Sequence, residues 1–150
     1  MNDNFYLATS EDVKGWLNGE GEYLSPAEIL TDLTEEQATT IPPGSPYSIA
    51  QVLAHMNYWQ ARRFAILRGE PWQDAKHLSD TFAPPAPGAW DQLVSHFLVD
   101  LETIRQMADA KQQYSYADRA LHNGYHLGQI ALLRQMLGIW PPAGGESYDF

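Results

Sequence analysis

The chain has five histidines and no cysteine, so its metal or acid–base chemistry must be sought in imidazoles and carboxylates. His122 and His126 are four residues apart in a segment of helical pattern. Four residues turn an α-helix by about 400°, so the two imidazoles share one face. Gln129, Ile130, Leu133 and Leu137 continue that stripe, which points the pair where core residues point. A buried imidazole needs hydrogen-bond partners, and two together need more. A metal ion meets both needs at once. His55 lies among Val52, Met56 and Trp59 at helical spacing, also at or near a buried side. Three imidazoles from two facing helices match an open divalent-metal site, with the remaining positions left to water or substrate. No fourth side chain at comparable spacing closes the set. Such a site suits zinc, nickel, copper or iron. The competing reading is a pair that is merely solvated or packed and hydrogen-bonded.

The other histidines read differently. His77 falls in a proline-rich loop and is expected to be solvated, whereas His96 lies one residue off an apolar stripe, at a boundary. Gln129, three residues beyond His126, is placed to orient a ligand or a bound water, and Tyr125 is expected to pack against a neighbouring helix. Gly128 is read as allowing a close helix crossing or as a glycine tolerated beside one. Asn57, Tyr58, Arg62 and Asp100 are further polar candidates for the pocket.

The elements that must position these residues are helices. Proline and glycine fall in blocks and divide the chain into helical segments. A first helix starts at Ser10-Glu11-Asp12 and runs to about Asn18, where Gly19-Glu20-Gly21 interrupts it. Ser25-Pro26-Ala27-Glu28 is a capping box with proline at the first position, followed by Ile29, Leu30 and Leu33. Thr34-Glu35-Glu36-Gln37 starts a short extra turn. Ser48 to Gln51 caps a second major helix, striped by Ile49, Val52, Leu53, Met56, Trp59 and Leu67 and ending near Gly69. Residues 70 to 88, with Pro71, Pro84, Pro85, Pro87 and Gly88, form a crossover loop long enough to carry function. Trp90, Leu93, Phe97, Leu101, Ile104 and Ala108 mark a core-facing helix over about 89 to 109. After the polar stretch Lys111-Gln112-Gln113, a last helix capped by Ser115, with Asp118 at its third position, runs to Leu137 and stops at Gly138. The tail IWPPAGGESYDF is irregular. No segment alternates with period two, so the expected class is all-α, a four-helix bundle forming a single domain over 1–150.

Composition narrows the function classes. Nineteen acidic against nine basic residues give a formal net charge of −10. A nucleic-acid groove needs a basic footprint, and only Arg62, Arg63 and Arg68 cluster, so neither nucleic acid nor an anionic membrane surface is expected as partner. The first residues, MNDNFYLATSEDVK, lack a signal-peptide pattern and no apolar run is long enough to span a bilayer, which makes the cytoplasm the expected location.

The segment RALHNGYHLGQIALLRQMLGIWPP resembles the final helix of the DinB/YfiT-like metalloenzymes, whose pattern is roughly H-x-x-Y-H-x-G-Q-I followed by a Leu- and Arg-containing stretch. PYSIAQVLAHMNYW resembles the second helix of that family, a Ser-initiated helix with one His about seven residues on, and the ending WPPAGGESYDF is similar too. The resemblance covers about half the chain. It implies a four-helix bundle with a divalent metal, nickel or zinc, at one end. His55, His122 and His126 fall on its three ligand positions. It also implies a homodimer and, in some members, transfer or isomerisation that depends on a low-molecular-weight thiol. The interrupted first helix and the short connector before the last depart from parts of the family, so no particular substrate carries over.

The leading expectation is therefore a metal-dependent enzyme acting on a small molecule. It would add a soluble thiol such as bacillithiol, mycothiol or glutathione to an electrophile, since the chain has no thiol of its own. The rivals are metal-assisted hydrolysis, for which the sequence shows no general base, and a non-catalytic metal- or ligand-binding stress protein.

Overall fold

A computed structural model describes residues 9–20, 23–107 and 113–145. The expected break at Gly21, the polar link Lys111-Gln112 and the tail from Glu146 lie outside them. Six α-helices are described: α1 Ser10–Leu17, α2 Pro26–Leu30, α3 Glu35–Thr39, α4 Ile49–Arg68, α5 Trp90–Met107 and α6 Gln113–Met136. One 3₁₀ turn, Leu78–Phe82, sits in the loop before α5. No strand occurs among the described residues.

Four helices make the bundle. α6 packs against α1 and α4, and α5 packs against α4 and α1, which closes a ring of four. α2 and α3 are short and cover the bundle where α4, α5 and α6 would otherwise expose apolar side chains. The expected stripes form the core: Ile49, Val52, Leu53 and Met56 of α4, Phe97, Leu101 and Ile104 of α5, and Leu127, Ile130 and Leu133 of α6 are all buried. Each large aliphatic side chain withdrawn from water in this way contributes about 1.5–3 kcal/mol.

The local signals explain the boundaries. Thr9, Ser25, Thr34 and Ser48 each accept the backbone N–H three residues on, with a reciprocal side chain at that third position. Gly69 ends α4 in the left-handed conformation, φ 66°. Two expectations are corrected. α6 begins at Gln113, so Ser115 lies inside the helix and does not cap it, and Asp118 pairs with arginines instead. Gly128 is exposed with nothing near where a Cβ would stand, so it makes no close crossing with the described residues. The close approach is at Gly124, where a Cβ would stand 3.3 Å from the Tyr23 hydroxyl.

α2 stops at Leu30, although Leu33 continues its spacing, because Thr31 is extended, ψ 160°, and Asp32 takes a left-handed φ of 55°. Arg134 of α6 is 2% exposed. Its Nη1 donates to the carbonyls of Ile29 at 2.7 Å and Thr31 at 2.8 Å, and its Nε to that of Ile139 at 3.2 Å. A guanidinium suits this place because its fixed fork serves several carbonyls, and a cation at a helix C-terminus complements the helix dipole.

Removing that fork should therefore leave buried carbonyls unpaired. Arg134→Met is expected to lower unfolding free energy by about 2–4 kcal/mol, read from the urea midpoint. A shift no larger than that of the exposed Arg68→Met would sink this account.

Candidate metal centre

His55 comes from the middle of α4, and His122 and His126 come from successive turns of α6 where it crosses α4. Their ring centroids are 5.3 Å (55–122), 4.6 Å (55–126) and 4.5 Å (122–126) apart. One nitrogen from each ring lies within 4.8 Å of the others. This is the one group of His and acidic side chains among the described residues that could hold a metal ion. The structure thus brings together the three histidines that the sequence groups. His55 and His126 are buried and His122 is half-buried.

The hydrogen bonds fix the tautomer of two rings. The Thr81 hydroxyl has one proton and donates it to the Leu78 carbonyl at 2.6 Å. It can therefore only accept from His55, whose Nδ1 is 2.6 Å away, so Nδ1 carries the proton and Nε2 keeps its lone pair. In the same way the Gln129 Oε1 accepts from Nδ1 of His126 at 2.6 Å, leaving Nε2 of that ring as a base. The buried Nδ1 of His122 has no hydrogen-bond partner among the described residues.

The crossover loop completes the site. Its 3₁₀ turn supplies Thr81 and also Phe82, which stacks on His55 at 3.9 Å and on Tyr47 at 4.2 Å. Gln51, besides capping α4, donates from Nε2 to the Phe82 carbonyl at 3.0 Å and so holds the turn against the helix. Tyr58 accepts the Ala75 N–H at 2.8 Å, and Arg62 pairs with Asp74 at 2.7 Å while lying 5.6 Å over the Trp59 ring. These two residues anchor the loop and do not line the pocket. Asn57 donates to the Leu93 carbonyl, and Asp100 pairs with His96 on an exposed part of α5, so neither joins the site. His77 is exposed, as expected.

The pocket in front of the three rings has a volume of about 500 Å³. Trp59, Phe82 and Tyr125 form its aromatic wall, Gln129 and Leu78 contribute to its rim, and Arg119 adds a cation. Tyr125 is 67% exposed and stands edge-on to His126, so it does not pack into a neighbouring helix as expected. Thr81 and Arg119 were not found by sequence reasoning. Thr81 carries no motif, and Arg119 is legible only as a residue one turn before His122 on the same face. A larger hollow of about 740 Å³ between α2 and α5, lined by Leu30, Trp90 and Val94, holds no histidine.

All three imidazoles are held neutral. Burial pushes His55 down to about 3, helped by His126, His122 and Arg119 nearby. Burial pushes His122 down to about 4, helped by His126 and Arg119. Burial also lowers His126, against the Gln129 hydrogen bond. Neutral imidazole is the metal-ligating form, so the cluster keeps ligand character well below the usual histidine range.

The sign of the linked stability follows. An unfolded histidine titrates near 6.5, above each folded value. The stability from these neutral rings is therefore complete above that pH and is lost as pH falls toward the folded values. The metal-free protein should lose stability between pH 6.5 and 5, with a slope approaching about 1.4 kcal/mol per pH unit from His55. His55→Phe should flatten that slope in urea titrations, and an unchanged slope would refute the assignment.

Among the described residues no helix is long and apolar enough to cross a membrane. No curated protein and no solved structure matches the chain at a significant level. The sequence model of the DinB superfamily matches residues 27–137, from α2 to the end of α6, and so takes in the 3₁₀ turn and all three clustered histidines. With nearly three quarters of its length matched and an all-α bundle around the cluster, this chain belongs to the DinB superfamily.

Proposed function

We propose that this protein is a divalent-metal-dependent enzyme. In this reading His55, His122 and His126 are the metal ligands, the ion is nickel or zinc, and the reaction adds a low-molecular-weight thiol to an electrophilic small molecule. The observation that carries the proposal is the convergence of three imidazoles, one nitrogen of each lying within 4.8 Å of one nitrogen of the others. The donor set fits such an ion. Two rings have their Nδ1 protons committed to Thr81 and Gln129, and the third has a buried nitrogen with no hydrogen-bond partner among the described residues. A bound divalent ion would supply Lewis acidity, making a nucleophile available near neutral pH.

The chain's own residues do the rest. Thr81 and Gln129 hold the rings in orientation by accepting their Nδ1 protons. Trp59, Phe82 and Tyr125 offer flat apolar surface to a small organic substrate and limit its approach by water. The described pocket wall carries no carboxylate to serve as general base, which favours a thiol nucleophile over hydrolysis. With no cysteine in the sequence, that sulfur comes from a soluble thiol. The proposal takes the chain as one domain acting in the cytoplasm.

It also takes the protein as a homodimer. Leu121, Tyr125 and Leu132 lie on one exposed face of α6 at 77%, 67% and 55% exposure. Gly128 leaves an open notch among them, suited to the matching helix of a second copy. Leu132→Glu is then expected to halve the mass measured by light scattering, and a wild type of monomer mass would end this part of the proposal.

Metal content by elemental mass spectrometry tests the site. About one equivalent is expected in the untagged wild type and none in a folded His122→Ala/His126→Ala variant. Thr81→Val should retain the fold but bind zinc about 10–100-fold more weakly. A wild type that takes up neither zinc nor nickel would remove the metalloenzyme reading. Metal without any stimulation by added thiol in the turnover of an electrophile such as 1-chloro-2,4-dinitrobenzene would favour a binding protein.

A further inference from the structure

Arg119 brings a fixed positive charge into the histidine pocket from α6, one turn before His122. Only 13% of its side chain is exposed. A guanidinium carries five N–H donors and no acceptor, so burial demands partners for them. Its Nη2 reaches Oδ2 of Asp118 at 3.2 Å, but its Nε is buried without a partner among the described residues. Asp118 does not neutralise it, because the same carboxylate oxygen is held more closely by Arg63, at 2.6 Å. Two guanidinium groups thus share one carboxylate, which leaves one positive charge in excess.

A partly buried cation with an unspent donor, beside a reactive centre and an aromatic wall, is the arrangement that orients an anionic substrate. Arginine suits a planar carboxylate in particular, which it can bind through two parallel hydrogen bonds. We propose that Arg119 binds a carboxylate on the small molecule that enters the three-histidine pocket, while Trp59, Phe82 and Tyr125 hold its apolar body. The ligand class is an aryl or aralkyl carboxylic acid, or a carboxylate-bearing thiol. This inference rests on the reading of that pocket as a substrate site, and it names what the substrate must carry. It gives Arg119 a specificity role, distinct from holding the ion.

Calorimetry on the protein as purified and after chelation tests it with two ligand pairs. 3-Phenylpropionate and its primary amide stand for a carboxylate on the electrophile. Glutathione and its diethyl ester stand for a carboxylate on the thiol. In the chelated protein, where no carboxylate can reach a metal, one acid is expected to bind about tenfold or more tightly than its neutral partner. The pair that discriminates identifies the source. Arg119→Gln should abolish the preference, and Arg119→Lys should keep part of it, as a point charge without the fork. If neither pair discriminates in the wild type, or if Arg119→Gln keeps the full preference, the proposal is wrong. The wild-type comparison requires no variant, so a poorly folded Arg119→Gln does not obscure the result. Zinc stoichiometry in the same samples reports on the metal reading separately.

Discussion

Three imidazoles brought within 4.8 Å of one another in a largely buried place cannot all be charged, and the surrounding structure is arranged around that constraint. Neutral rings still carry one N–H and one lone pair each, and buried polar atoms left unpaired cost free energy. The chain therefore needs acceptors for the N–H groups on the side away from the shared space. α6 supplies one from within, Gln129, a single turn beyond His126. α4 has none of its own for His55, and the acceptor comes from the crossover loop. Thr81 can serve because its own proton is already committed to the Leu78 carbonyl within the same 3₁₀ turn. The turn is held by Gln51, by the Tyr47–Phe82–His55 ring stack, and further back by Tyr58 and the Arg62–Asp74 pair. A loop of low regularity is thus fastened at several points because one hydroxyl must be in place.

The relative setting of α4 and α6 is fixed by polar contacts as well as by apolar packing. Gln60 and Asn123, both essentially inaccessible, join across the crossing through Asn123 Nδ2 and Gln60 Oε1 at 3.2 Å. Gln60 Nε2 continues to the Phe97 carbonyl of α5. Apolar ridges alone tolerate a slip of one helix along another, whereas a buried amide pair loses its hydrogen bond on slipping. Asn123 is adjacent to His122, so this contact controls where that imidazole meets His55. Such polar contacts in a bundle core add little net stability, and register is the property they can provide here.

The helices and the histidine cluster were legible in the sequence for definite reasons. Capping boxes at Ser25, Thr34 and Ser48 are local, and the i, i+4 spacing of His122 and His126 is set by helix geometry alone. His55 could be added because its apolar neighbours marked the buried side of α4. What escaped depends on contacts between distant segments. Thr81 is an ordinary loop threonine until the loop folds back 26 residues onto His55. The carbonyls at the early end of α2 are met by an arginine more than a hundred residues away, at position 134. The helix that holds Ser115 is already under way at Gln113, which the Ser115–Asp118 capping pattern does not show. Tyr125 illustrates the opposite error. Rotation about the helix axis predicts a packed aromatic, but Tyr125 is 67% exposed and no described element covers that face.

Stability and chemistry are accordingly carried by different parts of α6. Eight residues beyond His126, about 12 Å along the axis, Arg134 spends its donors on carbonyls and closes the end of α2. One turn before His122, Arg119 is also largely buried but leaves its Nε unspent and shares its carboxylate with Arg63. The two arginines differ in what surrounds them. Backbone oxygens fixed by the fold saturate the first, so it contributes to folding. The second faces a pocket of neutral rings and aromatic surface, where no oxygen of the described chain completes it. The unpaired Nε costs free energy as the protein stands, and a bundle held by Arg134 and its apolar core can tolerate that deficit.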